Sequence, residues 1–301
     1  MSDELNFDGL QFVDSGWHDS PEYRGEAKLS FGYFNLGQVM GAEPFTERPR
    51  KIDLTKYLAK CYGPDWELQQ SSCGSCVAHG YSLAVDILEA IDHVDNQAEL
   101  PPRTAPEPIY WSSRGDIGGN RLGGQGSVGA WAAEAVKRIG VVPHGVYPSG
   151  DFTKYDASRC CSGKSRQLLA ADLKDVAKKH TVKTYAKVTT WDELIDALGS
   201  GYPCPIASNQ GFAKNRDANG ISEASGHWGH CMCVIGYDLD IDCALIANSW
   251  GKYFSGSSLH QACFFARRPV VERMLRADDT FSLSDIEGWP KKSLSFAKLN
   301  W

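Results

Sequence analysis

Three polar side chains that lie far apart in the sequence have the types that nucleophilic catalysis requires. Cys76 begins the most regular helix pattern of the chain, and a helix N-terminus stabilises a thiolate through roughly half a positive charge. His230 opens one β-type run and Asn248 ends the next, so a hairpin would place them side by side. An imidazole can accept the thiol proton, and an amide oxygen on its other nitrogen fixes the tautomer. The pattern indicates a Cys-His-Asn site.

A fourth candidate, Gln70, precedes Cys76 by six residues. Its side-chain amide could join the backbone N–H of Cys76 as a pair of donors to an oxyanion. A lone cysteine at a helix start is more often a small buried residue. The weight of the prediction therefore rests on the three segments taken together.

The elements that must position these residues follow from periodicity and capping signals. Apolar residues at positions 77, 81, 84, 88 and 91 predict an amphipathic helix over 76–94. Further helices are expected over 130–139, 168–179, 191–198 and 270–276, the third of these opened by a capping box at Thr190. Strands are expected over 182–188, 203–208, 231–237 and 243–248, with a polar loop over 213–226. A helix-rich first half and a strand-rich second half predict an α+β protein with two lobes.

Composition excludes several classes of protein. The 301 residues are 42% hydrophobic and 23% charged, which is ample for a core and unlike a disordered or fibrous chain. No apolar run approaches the roughly 20 residues of a membrane span, and the net charge of -6 argues against a nucleic-acid binder. The first ten residues carry no signal-peptide pattern, so a cytoplasmic protein with reduced thiols is expected.

Three sequence blocks resemble those of the papain-type (C1) cysteine peptidases and occur in the same order. They are QSSCGSC over 70–76, GH at 229–230 followed by VIGY over 234–237, and NSWG over 248–251. The resemblance covers about residues 52–254. It implies a helical left lobe carrying the nucleophile, a β-barrel-like right lobe carrying the histidine and asparagine, and a cleft between them.

The resemblance assigns a role to each candidate in a peptidase that hydrolyses peptide or isopeptide bonds. Cys76 is the nucleophile, His230 the base, Asn248 the residue that orients it, and Gln70 the oxyanion donor. Trp250 would shield the His–Asn hydrogen bond from water. His230 stands six residues before Gly236, as the family's histidine does, whereas His227 stands nine before it and is expected in a loop. No cofactor or metal is implied.

Substrate binding is assigned by the same resemblance. GQGS over 124–127 resembles the Gly-rich wall of the family's cleft. The implied substrate-binding residues are Gly126, Ser127, Ala207, Ser208 and Gly229. They surround S2, the pocket for the second residue before the scissile bond, but the sequence names no preferred side chain. The expected partners are protein or peptide substrates and other subunits of an assembly, with no nucleic acid or membrane.

The chain departs from the family's pattern in ways that favour a divergent bacterial or viral branch. Val77 follows the nucleophile, where the family has an aromatic residue, and no cysteine occurs between Cys76 and Cys160. The usual left-lobe disulfides therefore cannot form, although a bridge from Cys73 to Cys160 or Cys161 stays open.

Three regions are expected. Residues 1–51 form an irregular extension, either a short prosegment or, preferably, a permanent surface wrap. Residues 52–254 form the peptidase domain, with a left lobe over about 70–150 and a right lobe over about 180–254. Residues 255–301 form an extension that completes or wraps the domain, and Cys263–Phe265 could supply its next strand.

Three other functions compete with the hydrolase. The fold could serve as a catalytically idle scaffold in a larger assembly, such as a virion if the chain is virus-encoded. The CxxC pair Cys73 and Cys76 could do thiol–disulfide chemistry, or these two could bind zinc with Cys231 and Cys233. The redox function leaves the histidine and asparagine blocks unexplained. The zinc site is disfavoured because Cys231 and Cys233 are expected in mid-strand.

Overall fold

The computed structural model describes residues 4–7, 10–13, 16–39, 48–161, 166–285, 289 and 294. Its α-helices are α1 (Pro21–Phe31), α2 (Leu36–Val39), α3 (Thr55–Tyr62), α4 (Cys76–Asn96), α5 (Pro106–Trp111), α6 (Gly129–Arg138), α7 (Ala171–Ala177), α8 (Trp191–Gly199) and α9 (Arg268–Leu275). Its strands are β1 (Glu4–Phe7), β2 (Leu10–Val13), β3 (Lys51–Asp53), β4 (Val146–Tyr147), β5 (Gly150–Asp151), β6 (Thr184–Lys187), β7 (Cys204–Arg216), β8 (Ser222–Asp238), β9 (Cys243–Ala247), β10 (Cys263–Arg267) and β11 (Phe281–Ser284). In the predicted extension over 255–301, the residues after 285 lie outside the described part, apart from 289 and 294.

Helix α4 is the centre of the helical lobe. It packs against α3, α5 and α6 on its own side and against β8 of the other lobe. Almost every side chain from Cys76 to Ile91 is buried, so the helix is apolar around most of its circumference rather than along one stripe. The predicted helix is confirmed and extends two residues further, to Asn96.

The second lobe is built on an antiparallel sheet with strand order β10-β9-β8-β3 and with β7 also paired to β8. The predicted β8–β9 hairpin is confirmed, with Tyr237 facing Ala244 across it. The strand expected around Cys263 is also confirmed, because β10 pairs with β9 and sets Cys263 opposite Ala247. The capping box that opens α8 at Thr190 is present.

The prediction of a polar loop over 213–226 was wrong. Strand β7 runs to Arg216 and β8 begins at Ser222, so these residues form the end of a long hairpin. Residues 223–227 are exposed, so the sequence there lacks the apolar alternation of a half-buried strand. The Arg216 guanidinium anchors the hairpin by donating to several backbone carbonyls, among them that of His260 at 2.8 Å.

The prediction of an irregular N-terminal extension was also wrong. Helix α1 has Ser20 at its N-cap accepting from the N–H of Tyr23, proline in its first turn, and Gly32 in a left-handed C-cap with φ +65°. Only Arg24 and Ala27 are buried along it, so no apolar stripe revealed the helix in the sequence. None of the helices in the described ranges is long and apolar enough to cross a membrane.

Candidate active site

Cys76 lies at the first residue of α4 and is fully buried. Its Sγ accepts the backbone N–H of Cys231 at 3.4 Å, so the sulfur lies against the strand that carries His230. Ser75 occupies the N-cap position but makes no side-chain capping bond. Its hydroxyl instead shares a 2.7 Å hydrogen bond with the hydroxyl of Tyr155. The backbone N–H groups of Cys76 and Val77, in the first turn, therefore remain available to the sulfur, and both act to lower its pKa.

The hairpin of β8 and β9 brings the predicted base and orienting residue together. Nε2 of His230 lies 2.8 Å from Oδ1 of Asn248. The backbone N–H of Ser249 also donates to Oδ1, at 2.7 Å, which identifies that atom as the amide oxygen. Nε2 of His230 therefore carries the proton, and Nδ1 presents a lone pair. Nδ1 is buried and has no hydrogen-bond partner within the described part of the chain.

Two tryptophans enclose this hydrogen bond. The ring of Trp250 lies 4.8 Å from that of His230, centroid to centroid, at an angle of 32°. Trp228 packs against Trp250 with centroids 4.7 Å apart. Both indoles and the imidazole are buried, so little water can compete for the Asn248 oxygen. Trp250 was predicted, whereas Trp228 was missed, although its position two residues before His230 on β8 puts it on the same face.

Burial keeps both reactive groups neutral in this conformation. It raises the pKa of the Cys76 thiol to about 12, against the opposing effect of backbone N–H groups that include those of Cys231 and Gly16. It lowers the pKa of His230 to about 4, although the hydrogen bond to Asn248 opposes the shift. At neutral pH the site is therefore a thiol beside a neutral imidazole.

Gln70 connects the loop before Cys76 to Ser249, the residue after Asn248. Its Nε2 donates to the carbonyl of Cys73 at 3.1 Å, and its Oε1 accepts from the hydroxyl of Ser249 at 2.6 Å. The backbone N–H of Gln70 donates to the carbonyl of Ser249 at 2.8 Å. These bonds fix the buried amide just ahead of Cys76, which is where an oxyanion donor must stand.

Residues 16–18, here called the cleft segment, lie between the two lobes above Cys76. The N–H groups of Gly16 and Trp17 both donate to the carbonyl of Gly229 at 2.9 Å. On the other wall, Ser127 donates to the carbonyl of Gly16 and accepts from the N–H of His18, both at 3.0 Å. The cleft segment thus runs parallel to the backbone at Ser127, which forms an isolated parallel bridge with Trp17.

The segment approaches the nucleophile and the Gly-rich wall so closely that glycine is required at two points. A Cβ on Gly16 would lie 2.7 Å from Sγ of Cys76. A Cβ on Gly126 would lie 2.7 Å from the carbonyl oxygen of Gly16, and Gly126 also has φ +97°. No local pattern predicts this segment, because its contacts join residues that lie 60 (Gly16 and Cys76) to 262 (Trp17 and Asp279) positions apart.

The indole of Trp17 fills a pocket beside Ser127, and its Nε1–H donates to Oδ2 of Asp279 at 2.7 Å. The same carboxylate accepts the N–H groups of Gly129 at 2.8 Å and Ala130 at 2.9 Å, at the N-terminus of α6. Trp17 is 4% exposed and Asp279 is 1% exposed. Neither residue was predicted from the sequence.

The predicted substrate-binding residues divide into two groups. Gly126, Ser127 and Gly229 all contact the cleft segment. The N–H of Ala207 lies 3.4 Å from the carbonyl of Asp279, the residue whose side chain bonds Trp17. Ser208 is buried and faces His230 across the β7–β8 ladder.

Neither His227 nor His79 joins the group of Cys76, His230 and Asn248. His227 is exposed, as expected of a residue outside the site. His79 is buried one turn after Cys76, and its Nδ1 donates to the carbonyl of Ser75 at 3.0 Å. All ten cysteines are free thiols, and Cys231 and Cys233 are buried in mid-strand. Across the described ranges, no cluster of His, Cys, Asp or Glu is arranged to hold a metal ion.

Comparison with known proteins identifies the class. The model of the papain family of cysteine proteases matches residues 49–259, so the chain belongs to that family. It has the papain-like two-lobe α+β fold, which supports a peptidase function.

The structure also resembles solved cysteine proteases. One is xylellain from Xylella fastidiosa, with 16% identity, a TM-score of 0.62, and coverage of 94% of this chain and 100% of that one. The Amb a 11 proform, a ragweed pollen allergen, shares 14% identity with a TM-score of 0.55, covering 89% of this chain and 75% of that one. Bromelain from Ananas comosus, solved with the E64 inhibitor, shares 18% with a TM-score of 0.51, covering 78% and 99%. No curated protein sequence matches the chain significantly.

Proposed function

We propose that the chain is a latent cysteine endopeptidase that cuts peptide or isopeptide bonds with Cys76, His230, Asn248 and Gln70. The observation that carries this proposal is the 2.8 Å bond from His230 Nε2 to Asn248 Oδ1. It leaves Nδ1 as an unpartnered proton acceptor within the described structure, on the strand against which the Cys76 sulfur lies. His79 also has one unpartnered buried nitrogen, but its other nitrogen bonds a backbone carbonyl, that of Ser75, whereas His230 is held by a side-chain amide.

The chemistry follows from these atoms. Nδ1 of His230 takes the thiol proton, and the Cys76 thiolate attacks the substrate carbonyl carbon. The amide of Gln70 and the N–H of Cys76 stabilise the oxyanion. The imidazolium then gives its proton to the leaving amine, so the C–N bond breaks and a thioester remains. Water, deprotonated by the same imidazole, hydrolyses the thioester and restores the thiol.

Latency is part of the proposal because the cleft segment occupies the place of a substrate. Four backbone hydrogen bonds hold residues 16–18 to Ser127 and Gly229. A substrate needs those same groups, so binding requires the segment to leave. Departure would also expose Cys76 and His230 to water and to each other, which removes the burial that keeps both neutral.

The test is turnover of an unstructured protein substrate by the full chain. Replacing Cys76→Ala should abolish cleavage, whereas Cys61→Ala, which removes a half-buried thiol on α3, should leave it unchanged. Because latency lowers the basal rate, both variants are also compared in a Trp17→Ala background. Cleavage that persists in Cys76→Ala would refute the proposal.

A catalytically idle scaffold is the second candidate, and the covered cleft is the observation that favours it. A scaffold would keep residues 16–18 in place permanently, and Cys76 would stay a neutral buried thiol. A thiol-reactive peptide epoxide separates the two functions. Labelling of Cys76 at neutral pH after Trp17→Ala supports the enzyme, and an inert Cys76 in a folded chain supports the scaffold.

A further inference from the structure

Tyr155 contacts the loop that positions both proposed oxyanion donors. This loop, residues 70–75, is called the oxyanion loop: Gln70 at its start holds the side-chain amide, and Ser75 at its end precedes the N–H of Cys76. The hydroxyl of Tyr155 shares a 2.7 Å hydrogen bond with the hydroxyl of Ser75 and donates to the carbonyl of Gln70 at 3.3 Å. One hydroxyl therefore joins the two ends of the loop.

The oxyanion loop contains a strained residue and depends on contacts from outside. Ser71 has φ +55°, a left-handed conformation that a serine adopts at a cost. The carbonyl of Cys73, inside the loop, accepts from Nε2 of Gln70 at 3.1 Å and from the N–H of Ser75 at 2.8 Å. A strained turn persists when surrounding contacts hold it, and Tyr155 supplies such contacts at both ends.

The surroundings of Tyr155 hold its hydroxyl in this position. Its ring packs edge-on against the ring of His79, with centroids 4.5 Å apart and an interplanar angle of 82°. Nδ1 of His79 in turn donates to the carbonyl of Ser75 at 3.0 Å. Burial and the nearby thiols of Cys160 and Cys73 raise the pKa of Tyr155, so at neutral pH its hydroxyl keeps the proton and remains a donor.

Packing alone does not account for the two hydrogen bonds of Tyr155. A serine at an N-cap usually accepts from an N–H of the first helical turn, yet the Ser75 side chain makes no such bond. Its hydroxyl instead connects the start of α4 to Tyr155, and through Tyr155 to Gln70. A phenylalanine would fill the same space but could make neither bond.

We propose that Tyr155 is a positioning residue for the oxyanion hole: its hydroxyl fixes the Gln70 amide relative to the N–H of Cys76. This inference rests on the proposed function. Both donors must lie about 2.7–3.1 Å from the developing oxyanion, so a small shift at one end of the loop weakens bonds that form only in the transition state. Loss of the Tyr155 hydroxyl should therefore lower kcat and kcat/KM together and leave KM almost unchanged.

Deletion of the hydroxyl tests the proposal with little change in packing. The enzyme is the full-length Trp17→Ala chain, and kcat and KM are measured with a quenched fluorescent peptide. In this background Tyr155→Phe should lower kcat about 3- to 30-fold, which is less than the loss of about 10²- to 10³-fold that removal of an oxyanion donor causes. Tyr147→Phe is the matched control, because it deletes a hydroxyl that donates to the carbonyl of Pro143 at 2.7 Å. It should leave kcat within about twofold.

A thiol probe separates oxyanion stabilisation from the reactivity of the nucleophile. The Cys76 thiolate attacks one sulfur of 2,2′-dipyridyl disulfide, a new S–S bond forms, and pyridine-2-thiolate leaves. No carbonyl takes part, so the oxyanion hole does not contribute. Mass spectrometry measures the rate at Cys76, and Tyr155→Phe should leave this rate within about twofold. A general disturbance of the start of α4 would change it together with kcat.

Two further backgrounds test whether Tyr155 acts through its partners. In Gln70→Ala, Tyr155→Phe should lower kcat by less than about twofold, because the amide that it positions is gone. Ser75→Ala removes the other partner of the 2.7 Å bond and should lower kcat by a factor similar to that of Tyr155→Phe. Ser75→Ala also tests the proposal if Tyr155→Phe does not fold.

The outcomes separate this inference from the proposed function. An unchanged kcat in Tyr155→Phe and Ser75→Ala, or a loss that persists in full in Gln70→Ala, would overturn the positioning role while Cys76-dependent cleavage continued. Equal losses of kcat and of the thiol-probe rate would overturn it too, because they indicate a purely structural role. Absence of Cys76-dependent cleavage by the folded Trp17→Ala chain would instead refute the proposed function.

Discussion

Replacement of Trp17 by alanine should convert the latent chain into an active one. The indole is 4% exposed and is the largest side chain that the cleft segment buries. Its only polar atom donates to Asp279 at 2.7 Å. In the open conformation the indole would be in water, so the substitution destabilises the closed conformation selectively.

The size of the effect follows from the burial. Truncation of a buried tryptophan to alanine costs about 3–5 kcal/mol, which includes the lost packing and the cavity. Each 1.36 kcal/mol changes an equilibrium constant tenfold, so the open fraction should rise by about 10²- to 10⁴-fold. The gain in activity ends when the open form becomes the major species.

The assay is the initial rate of cleavage of a quenched fluorescent peptide by the full-length chain at low substrate concentration. The rate in a Cys76→Ala background is subtracted as the blank. Leu29→Ala is the matched control, because it removes a large apolar side chain from α1 that is 88% exposed. We expect Trp17→Ala to raise kcat/KM by at least tenfold and Leu29→Ala to leave it within twofold. Equal values of kcat/KM for the parent, Trp17→Ala and Leu29→Ala would refute the proposal that the cleft segment blocks the site.

Three other perturbations have expected outcomes. Gly16→Ala places a Cβ 2.7 Å from Sγ of Cys76 and should also raise the cleavage rate, whereas Gly25→Ala, whose Cβ meets nothing within 4 Å, should not. Asn248→Ala removes the acceptor of the 2.8 Å bond from His230 and should lower kcat about 10- to 100-fold with little change in KM; an unchanged kcat would contradict the orienting role. Burial lowers the pKa of His230 to about 4 in the folded chain, from 6.5 for an ordinary histidine. As pH falls from 6.5 to 4, the unfolded chain therefore binds a proton that the folded chain does not, and the free energy of unfolding decreases. Between pH 7 and 4.5, urea unfolding should show that the free energy of unfolding falls by about 2 kcal/mol more in the parent than in His230→Gln. Equal decreases in the two proteins would contradict the lowered pKa of His230.

The candidate site was largely predictable because its residues belong to local patterns. Cys76 is the first residue of a strongly periodic helix. His230 opens one apolar run, Asn248 follows the next, and the two runs form a hairpin. A hairpin and a helix are both encoded by near neighbours in the sequence. Only the approach of Cys76 to His230 from different lobes depends on residues distant in the sequence, and the family resemblance predicted it.

The position of the cleft segment over the site was not predictable from the same signals. Trp17, Ser127 and Asp279 come from three distant segments that meet only when the lobes have packed, and none of them belongs to a periodic pattern. Helix α1 was missed because its helix signals are caps at Ser20 and Gly32 rather than an apolar stripe. A closer reading of the Ser20–Pro21 start would have found that helix. The pocket contacts of Trp17 leave no trace in the sequence.

Mass spectrometry can map the site and the rate at which a peptide epoxide reacts with the chain at pH 7. We expect rapid modification of Cys76 in the Trp17→Ala chain, slow modification in the parent, and slow modification when His230→Gln is added to Trp17→Ala. Equal rates with and without His230 would contradict this expectation. Modification confined to the half-exposed Cys61 and Cys161, with Cys76 unreacted in a folded Trp17→Ala chain, would contradict it as well.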